Sequence, residues 1–241
     1  MKKLTKAEIK FIDNYLIKNG VKFWDVRLEL LDHIVSAVED KMANDGVSFN
    51  EALLEVHRGF GNQFIEFGTP KKEIFTKGLY QSNIGFEKFI RNKQKELGRQ
   101  QRKIYRRTFI KFLTSSRFLL EFILIIVLVS AIYSYNQKTA FVVTMLLSMS
   151  TEILKLSKSA FSKSIRKSLR AQIASSLGAL WMSLNYFFVM FFNETVKEEI
   201  KNPYFYGIIF YIIIFIFLRH SYNIYSVIIE KNNEEYNALI S

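Results

Sequence analysis

The chain has 241 residues, 49% of them hydrophobic, and its 34 Lys and Arg against 22 Asp and Glu give a formal net charge of +12. Residues 1–117 hold 23 of the basic residues, whereas the long apolar runs lie within 118–218. This segregation indicates a polar domain joined to a membrane domain and excludes a fibrous or disordered chain. Cysteine is absent, which excludes a disulfide framework, a Cys-based zinc site and a thiol nucleophile.

The first 60 residues predict three short amphipathic helices joined by tight turns. Thr5 and Glu8 form a capping-box pattern ahead of the first helix, and Ser48 and Glu51 repeat it ahead of the third. Apolar residues at helical spacing predict a second helix from about residue 23 to 43. We expect the core of this bundle to contain Val26, Leu30, Ile34, Leu53 and Val56.

Two segments of this region carry a family resemblance. Residues 26–33 read VRLELLDH, and residues 46–53 read GVSFNEAL, followed by Gly59 and Gly61. The pattern resembles the helical prefix domain called HAAS, which precedes transmembrane segments in many bacterial membrane proteins. The resemblance covers residues ~5–61 and implies a signalling or regulatory role without enzymatic activity. It makes Asp32 and His33 the candidates for contact with another domain.

The same region raises the question of a metal site. Glu29 and His33 share a helix face, and His57 lies on the next helix, so a site would need these side chains to converge with a fourth ligand. The interpretation we favour is that such histidines form hydrogen bonds within the bundle. The sequence contains no P-loop, nucleophile elbow, zincin or dinucleotide motif. We therefore expect no enzymatic activity, no cofactor and no metal.

The sequence predicts three regions. The helical bundle covers residues 1–68, a basic helical linker covers residues 69–117, and the membrane domain covers residues 118–241. Within the linker, residues 88–117 carry eleven basic residues and one acid. We expect a helix lying on anionic lipid headgroups. A coiled-coil stalk through Ile90, Leu97 and Ile104 is the second interpretation, and nucleic-acid binding is the third and least favoured. The predicted membrane-surface contacts are Lys88, Arg91, Lys93, Lys95, Arg99, Arg102, Lys103, Arg106, Arg107, Lys111 and Arg117.

Four apolar segments predict membrane spans, and they are Phe118–Tyr135, Thr139–Leu156, Gln172–Phe192 and Pro203–Leu218. The first has 15 apolar residues in 18, which at ~1.5 Å per residue gives about 27 Å, close to the hydrocarbon core of a bilayer. Seventeen Lys and Arg flank the spans on one side of the membrane and three on the other. The positive-inside rule therefore places both termini in the cytoplasm.

Some polar and small residues within the spans have specific expected roles. Glu121 is expected near Arg117 at the membrane boundary, paired or solvated, and Glu152 is expected to face Lys155 or water. Small residues spaced four apart let helix backbones approach closely. The predicted helix-packing residues are Ala174, Ser175, Gly178 and Ala179.

The sequence thus predicts an all-α protein with a small cytoplasmic helical bundle, a basic helical linker and a four-helix transmembrane bundle. It would lie in a bacterial inner membrane as a non-enzymatic regulator or adaptor, bound to a protein partner or to copies of itself. A subunit of an oligomeric transporter or channel is the alternative function.

Overall fold

The computed structural model describes residues 3–64, 80–194 and 202–240 and is all-α apart from one short strand pair. The chain divides into two compact units, Met1–Glu96 with Lys167–Leu169 and Leu97–Arg166 with Arg170–Ser241. The helix of the predicted linker is divided between the two units. Its residues up to Glu96 belong to the first unit, and those from Leu97 onward belong to the second. The predicted domain boundary at residue 68 lies outside the described residues.

The first unit contains the three helices predicted for its N-terminal part. They are α1 (Lys6–Lys18), α2 (Trp24–Asn44) and α3 (Phe49–Gly59). Both capping boxes form, since the Thr5 and Ser48 side chains accept from the backbone N–H groups of Glu8 and Glu51, whose carboxylates bond back to the cap residues. Each box satisfies donors that the start of a helix leaves without a partner.

The predicted core of the bundle is confirmed. Leu30, Ile34 and Leu53 are almost completely buried, and less than a tenth of the surface of Val26 and Val56 is exposed. Gly20 ends α1 with a φ of +82°, a conformation that glycine adopts without steric cost. The segment Lys167–Leu169 belongs to this unit, where the Asp25 carboxylate accepts hydrogen bonds from the Leu169 N–H at 3.0 Å and the Ser168 hydroxyl at 2.8 Å.

A short antiparallel pairing of β1 (Gln63–Phe64) with β2 (Tyr80–Ser82) precedes the long helix α4 (Ile84–Leu113). The Asn62 carboxamide oxygen accepts from the Gly85 N–H at 3.0 Å and so caps this helix. A Cβ atom at Gly85 would collide with the Phe60 carbonyl, so the close approach requires glycine. Phe86, buried in the first turn of α4, packs with Phe60 and His57 and fixes the start of the helix on the bundle.

The second unit is built from the C-terminal part of α4 and a set of mainly apolar helices. These are α5 (Ser116–Tyr135), α6 (Gln137–Phe161), α7 (Lys163–Arg166), α8 (Leu169–Ser175), α9 (Ala179–Glu194) and α10 (Pro203–Ile240). A 3₁₀ turn, Ser176–Gly178, separates α8 from α9.

Among the described residues, four stretches are long and apolar enough to cross a membrane. These stretches are Ser116–Tyr135, Gln137–Phe161, Leu169–Met190 and Pro203–Leu239. They match the four predicted spans in order and position. Two differences are clear. The third stretch is not one regular helix, because the 3₁₀ turn interrupts it. The fourth helix continues to Ile240, well beyond the predicted end at Leu218.

The tight turn predicted between the first two spans is a single residue. Asn136 ends α5, and its side-chain oxygen accepts from the Thr139 N–H at 3.0 Å, which caps α6. One connecting residue forces the two helices to run antiparallel as neighbours. Val129 and Ala140 pack with Ile208 of α10 into one apolar cluster.

Helix α5 exposes most of its apolar side chains. Only Phe118 and Val129 are buried in this 20-residue helix. Its exposed large apolar residues are Leu119, Leu120, Ile123, Leu124, Val127 and Leu128. Soluble monomers rarely expose a continuous apolar surface of this extent, so the distribution is typical of a helix that faces lipid.

Candidate functional site

Three consecutive residues of α10, Arg219, His220 and Ser221, each bond to a different helix of the second unit. Successive residues of an α-helix project about 100° apart, so the three side chains fan over much of the helix circumference. We call them, with their partners, the polar belt. With Glu152, the partner of Lys155, it includes the three charged residues that lie within the spans predicted from the sequence, which are Glu121, Glu152 and Lys155.

Lys155 of α6 is the most buried charge of the polar belt, with 2% of its side chain exposed. Its ammonium donates to Glu152 Oε1 at 2.6 Å and to Ser221 Oγ at 2.8 Å. Glu152 therefore faces Lys155, one of the two environments predicted for it. A Cβ atom at Gly178 would lie 2.5 Å from the same carboxylate oxygen, so the glycine makes room for the ion pair.

Arg219 forms the second ion pair of the polar belt. Its Nε donates to both carboxylate oxygens of Glu121, at 2.8 and 2.9 Å, and its guanidinium carbon lies 5.5 Å from the centre of the Tyr222 ring. Glu121 was expected to lie near Arg117. The structure instead pairs it with a residue 98 positions along the chain, because α5 and α10 are neighbours in the bundle.

His220 attaches α4 to α10. Its side chain is fully buried, and Nε2 donates to the Tyr105 carbonyl at 2.9 Å. The rings of Tyr105, Phe109 and Phe112 surround the imidazole, and the Tyr105 hydroxyl donates to the Phe217 carbonyl at 3.2 Å. Phe109 also stacks on Phe217, with 5.1 Å between the ring centres, so its ring contacts protein.

The basic residues predicted to contact lipid are mostly exposed along α4. Lys93 is the exception, because its ammonium lies 2.7 Å from Glu29 and 3.4 Å from Glu96. The hydrogen bond to Glu29 raises the pKa of Lys93. Lys93 is therefore held by protein and does not belong to the surface set. The others are exposed, and they are Lys88, Arg91, Lys95, Arg99, Arg102, Lys103, Arg106, Arg107, Lys111 and Arg117.

The histidines of the first unit do not converge. His57 is buried with its Nδ1 against the Tyr15 hydroxyl, and burial lowers its pKa to about 4. His33 is exposed and contacts the Phe89 ring, while Glu29 is paired with Lys93. Across residues 3–64, 80–194 and 202–240, no three His, Asp or Glu side chains group as a metal site. Asp32 and His33, the candidates for domain contact, lie side by side on the exposed face of α2.

A stripe of buried polar residues on α6 was not predicted from the sequence. Its members, Thr144, Ser148, Thr151 and Lys155, recur every three or four residues and are all buried. Thr144 and Ser148 donate to carbonyls of their own helix, whereas the Thr151 hydroxyl has no partner in the described part of the chain. The spacing was a usable signal, since polar residues on one helical face within a span point to the bundle interior.

Only one of the two predicted small-residue pairs packs inside the bundle. Ala174 and Gly178 are buried, whereas Ser175 is partly exposed and Ala179 is exposed. The predicted packing role therefore holds for the first pair and is wrong for the second. Trp181 lies one turn beyond Gly178 and stacks on Phe217 at 3.8 Å between ring centres.

Searches with this chain found no matching family model, no similar curated protein and no similar solved structure. The class of protein therefore follows from the fold. It is a helical protein whose described residues include four helical stretches able to cross a membrane.

Proposed function

We propose that this chain is a multi-pass protein of a bacterial inner membrane that acts as a non-enzymatic regulator or adaptor. The observation that carries the proposal is the pairing of charges within the spans, Lys155 with Glu152 and Arg219 with Glu121. Charges that are neutralised within a helix, as Lys155 is, or by a neighbouring helix, as Arg219 is, are not free to bind a substrate or move a proton. The membrane unit then serves as an anchor, and the N-terminal unit carries the specific contacts.

The N-terminal unit suits a docking role in the cytoplasm. Its resemblance to the HAAS domain supports this role, as does the exposure of Asp32 and His33 on one face of α2. The cytoplasmic location is supported by the 17 to 3 division of Lys and Arg between the two sides of the predicted spans.

The orientation can be tested because the chain has no native cysteine. Lys138 and Lys163, both exposed, lie in predicted loops on opposite sides of the membrane. We expect a membrane-impermeant maleimide to label the K138C variant in intact spheroplasts and to label the K163C variant only after lysis. Labelling of K163C in intact spheroplasts would contradict the orientation, and the unsubstituted chain is the control for background.

The docking role can be tested by purification of the full chain in mild detergent. We expect at least one chain to co-purify with the wild type and to be lost when Asp32→Arg and His33→Glu are combined, because a guanidinium then replaces the carboxylate and a carboxylate replaces the imidazole on the α2 surface. Lys10→Glu is the matched control, since Lys10 is an exposed charge on α1. Recovery of the same partners with the α2 variant and the wild type would contradict docking at this face.

A subunit of an oligomeric transporter or channel is the second candidate, and the polar stripe on α6 favours it. Two buried oxygens of the bundle, Thr151 Oγ1 and Asn185 Oδ1, have no partner among the described residues. Proteoliposomes containing the wild type would then pass ions or small solutes, and replacement of Lys155 would change the flux. Absence of flux from correctly inserted wild-type protein would argue for the anchor role.

A further inference from the structure

A cavity of about 460 Å³ opens in the second unit at the junction between α4 and α5. Two arginines and one carboxylate line it, together with two serines and an asparagine. These residues are Ser115, Ser116, Arg117, Glu121, Arg219 and Asn223. Neither the ion pairs of the polar belt nor the docking role accounts for an open cavity here.

The charges of the cavity do not balance. Glu121 offsets one arginine, which leaves one net positive charge. In the described part of the chain, Arg117 forms no ion pair, and its side chain is exposed at the cavity edge. Arg219 bonds Glu121 through Nε alone, so the N–H groups of its two terminal nitrogens can donate to another acceptor.

The start of α5 adds backbone donors to the same cavity. Ser115 caps the helix, with its hydroxyl oxygen accepting from the Phe118 N–H at 3.4 Å. The N–H groups of Ser116 and Arg117 have no acceptor within the helix, because the preceding turn is missing. The helix dipole also favours an anion at this end. The arginines and the amide groups together fit a phosphate.

The residues of α5 that follow Arg117 at helical spacing are apolar and exposed. Leu120 and Leu124 of α5 are exposed by 64% and 69%, and Val127, a further turn along, by 61%. A ligand with a phosphate at one end and long hydrocarbon chains at the other matches both surfaces.

We propose that this cavity binds the phosphate of an anionic glycerophospholipid, whose acyl chains lie along the exposed apolar face of α5. The proposal depends on α5 crossing a membrane, but not on the orientation of the chain or on its partners. It is therefore tested separately from the docking role.

Native mass spectrometry of the full chain in mild detergent measures the binding directly. Phosphatidic acid is titrated against wild type and three variants, with phosphatidylcholine and inorganic phosphate as further probes. We expect Arg117→Gln to weaken phosphatidic acid binding about tenfold, the effect of losing one charge-assisted contact. Arg166→Gln removes an exposed arginine of α7 that does not line the cavity, so it should change the affinity less than twofold.

Glu121→Gln gives a result that misfolding cannot imitate. It removes the carboxylate that competes for Arg219, so phosphatidic acid should bind at least twofold more tightly. The proposal is overturned if Arg117→Gln and Arg166→Gln weaken binding equally, or if Glu121→Gln does not tighten it. Equal affinity for phosphatidylcholine would also overturn it. Displacement by inorganic phosphate at the lipid's own concentration would assign the cavity to free phosphate and overturn the lipid assignment.

Discussion

Replacement of Glu152 by Gln is expected to destabilise the second unit by about 3–5 kcal/mol, the range found when one member of a buried ion pair is removed. Lys155 would remain in a site with 2% exposure, with the Ser221 hydroxyl 2.8 Å away and no counter-ion. A hydroxyl bond does not replace the charge that Glu152 supplies.

The chain has two tryptophans, and replacement of Trp24 by Phe leaves Trp181 as the only one. The fluorescence of Trp181 then reports the unfolding of the second unit. Unfolding by SDS in mixed micelles, followed by Trp181 fluorescence, gives the change in stability of each variant. The combined variant Glu152→Gln with Lys155→Met should recover most of the loss, because no charge stays buried. Glu230→Gln, at an exposed position of α10, is the control. If Glu152→Gln lowers the free energy of unfolding by less than about 1 kcal/mol, the ion pair of Glu152 with Lys155 is solvated and not buried.

Replacement of Leu30 by Ala should cost the first unit about 2–5 kcal/mol, the transfer free energy of the removed atoms together with the cavity they leave. Leu30 has no exposed surface, and it packs in the bundle whose core the sequence predicts. The Trp181→Phe background leaves Trp24, 5% exposed in the same unit, as the reporter.

Ser36→Ala, at an exposed position of the same helix, should change the stability by less than about 0.5 kcal/mol. Denaturation of the full chain in detergent, read from Trp24 fluorescence, compares the two variants. If the Leu30→Ala and Ser36→Ala variants unfold at the same denaturant concentration, Leu30 does not pack in the core of the bundle as described.

Several features of the fold could be predicted because they depend on residues close together in the chain. A capping box needs only Thr5 and Glu8, three residues apart, and a single helix turn brings them together. The position of α5 could be read from its run of apolar residues, since length and hydropathy suffice to mark a possible span. The buried face of α2 follows from its 3.6-residue period.

Apart from Glu152 and Lys155, which are three residues apart, the residues of the polar belt could not be assigned in this way, because their partners lie far apart in the chain. Glu121 has Arg117 four residues before it, yet it pairs with Arg219, a choice that depends on how α5 packs with α10. Phe109 could face lipid or protein by its sequence alone, and it stacks on Phe217. Similarly, periodicity does not distinguish Ser175 from Ala174 as a packing residue.

The sequence by itself determined the three helices of the N-terminal bundle, two of their caps, the core of that bundle and the four segments able to cross a membrane. Each of these depends on local hydrogen bonding or on the transfer of a contiguous apolar segment out of water. Only the tertiary structure decided that the Lys155 ammonium also bonds the Ser221 hydroxyl, that His220 bonds the Tyr105 carbonyl and that Arg117 and Arg219 line one cavity. Those contacts form between helices, where the free energy of burying a polar group depends on which neighbour can satisfy it.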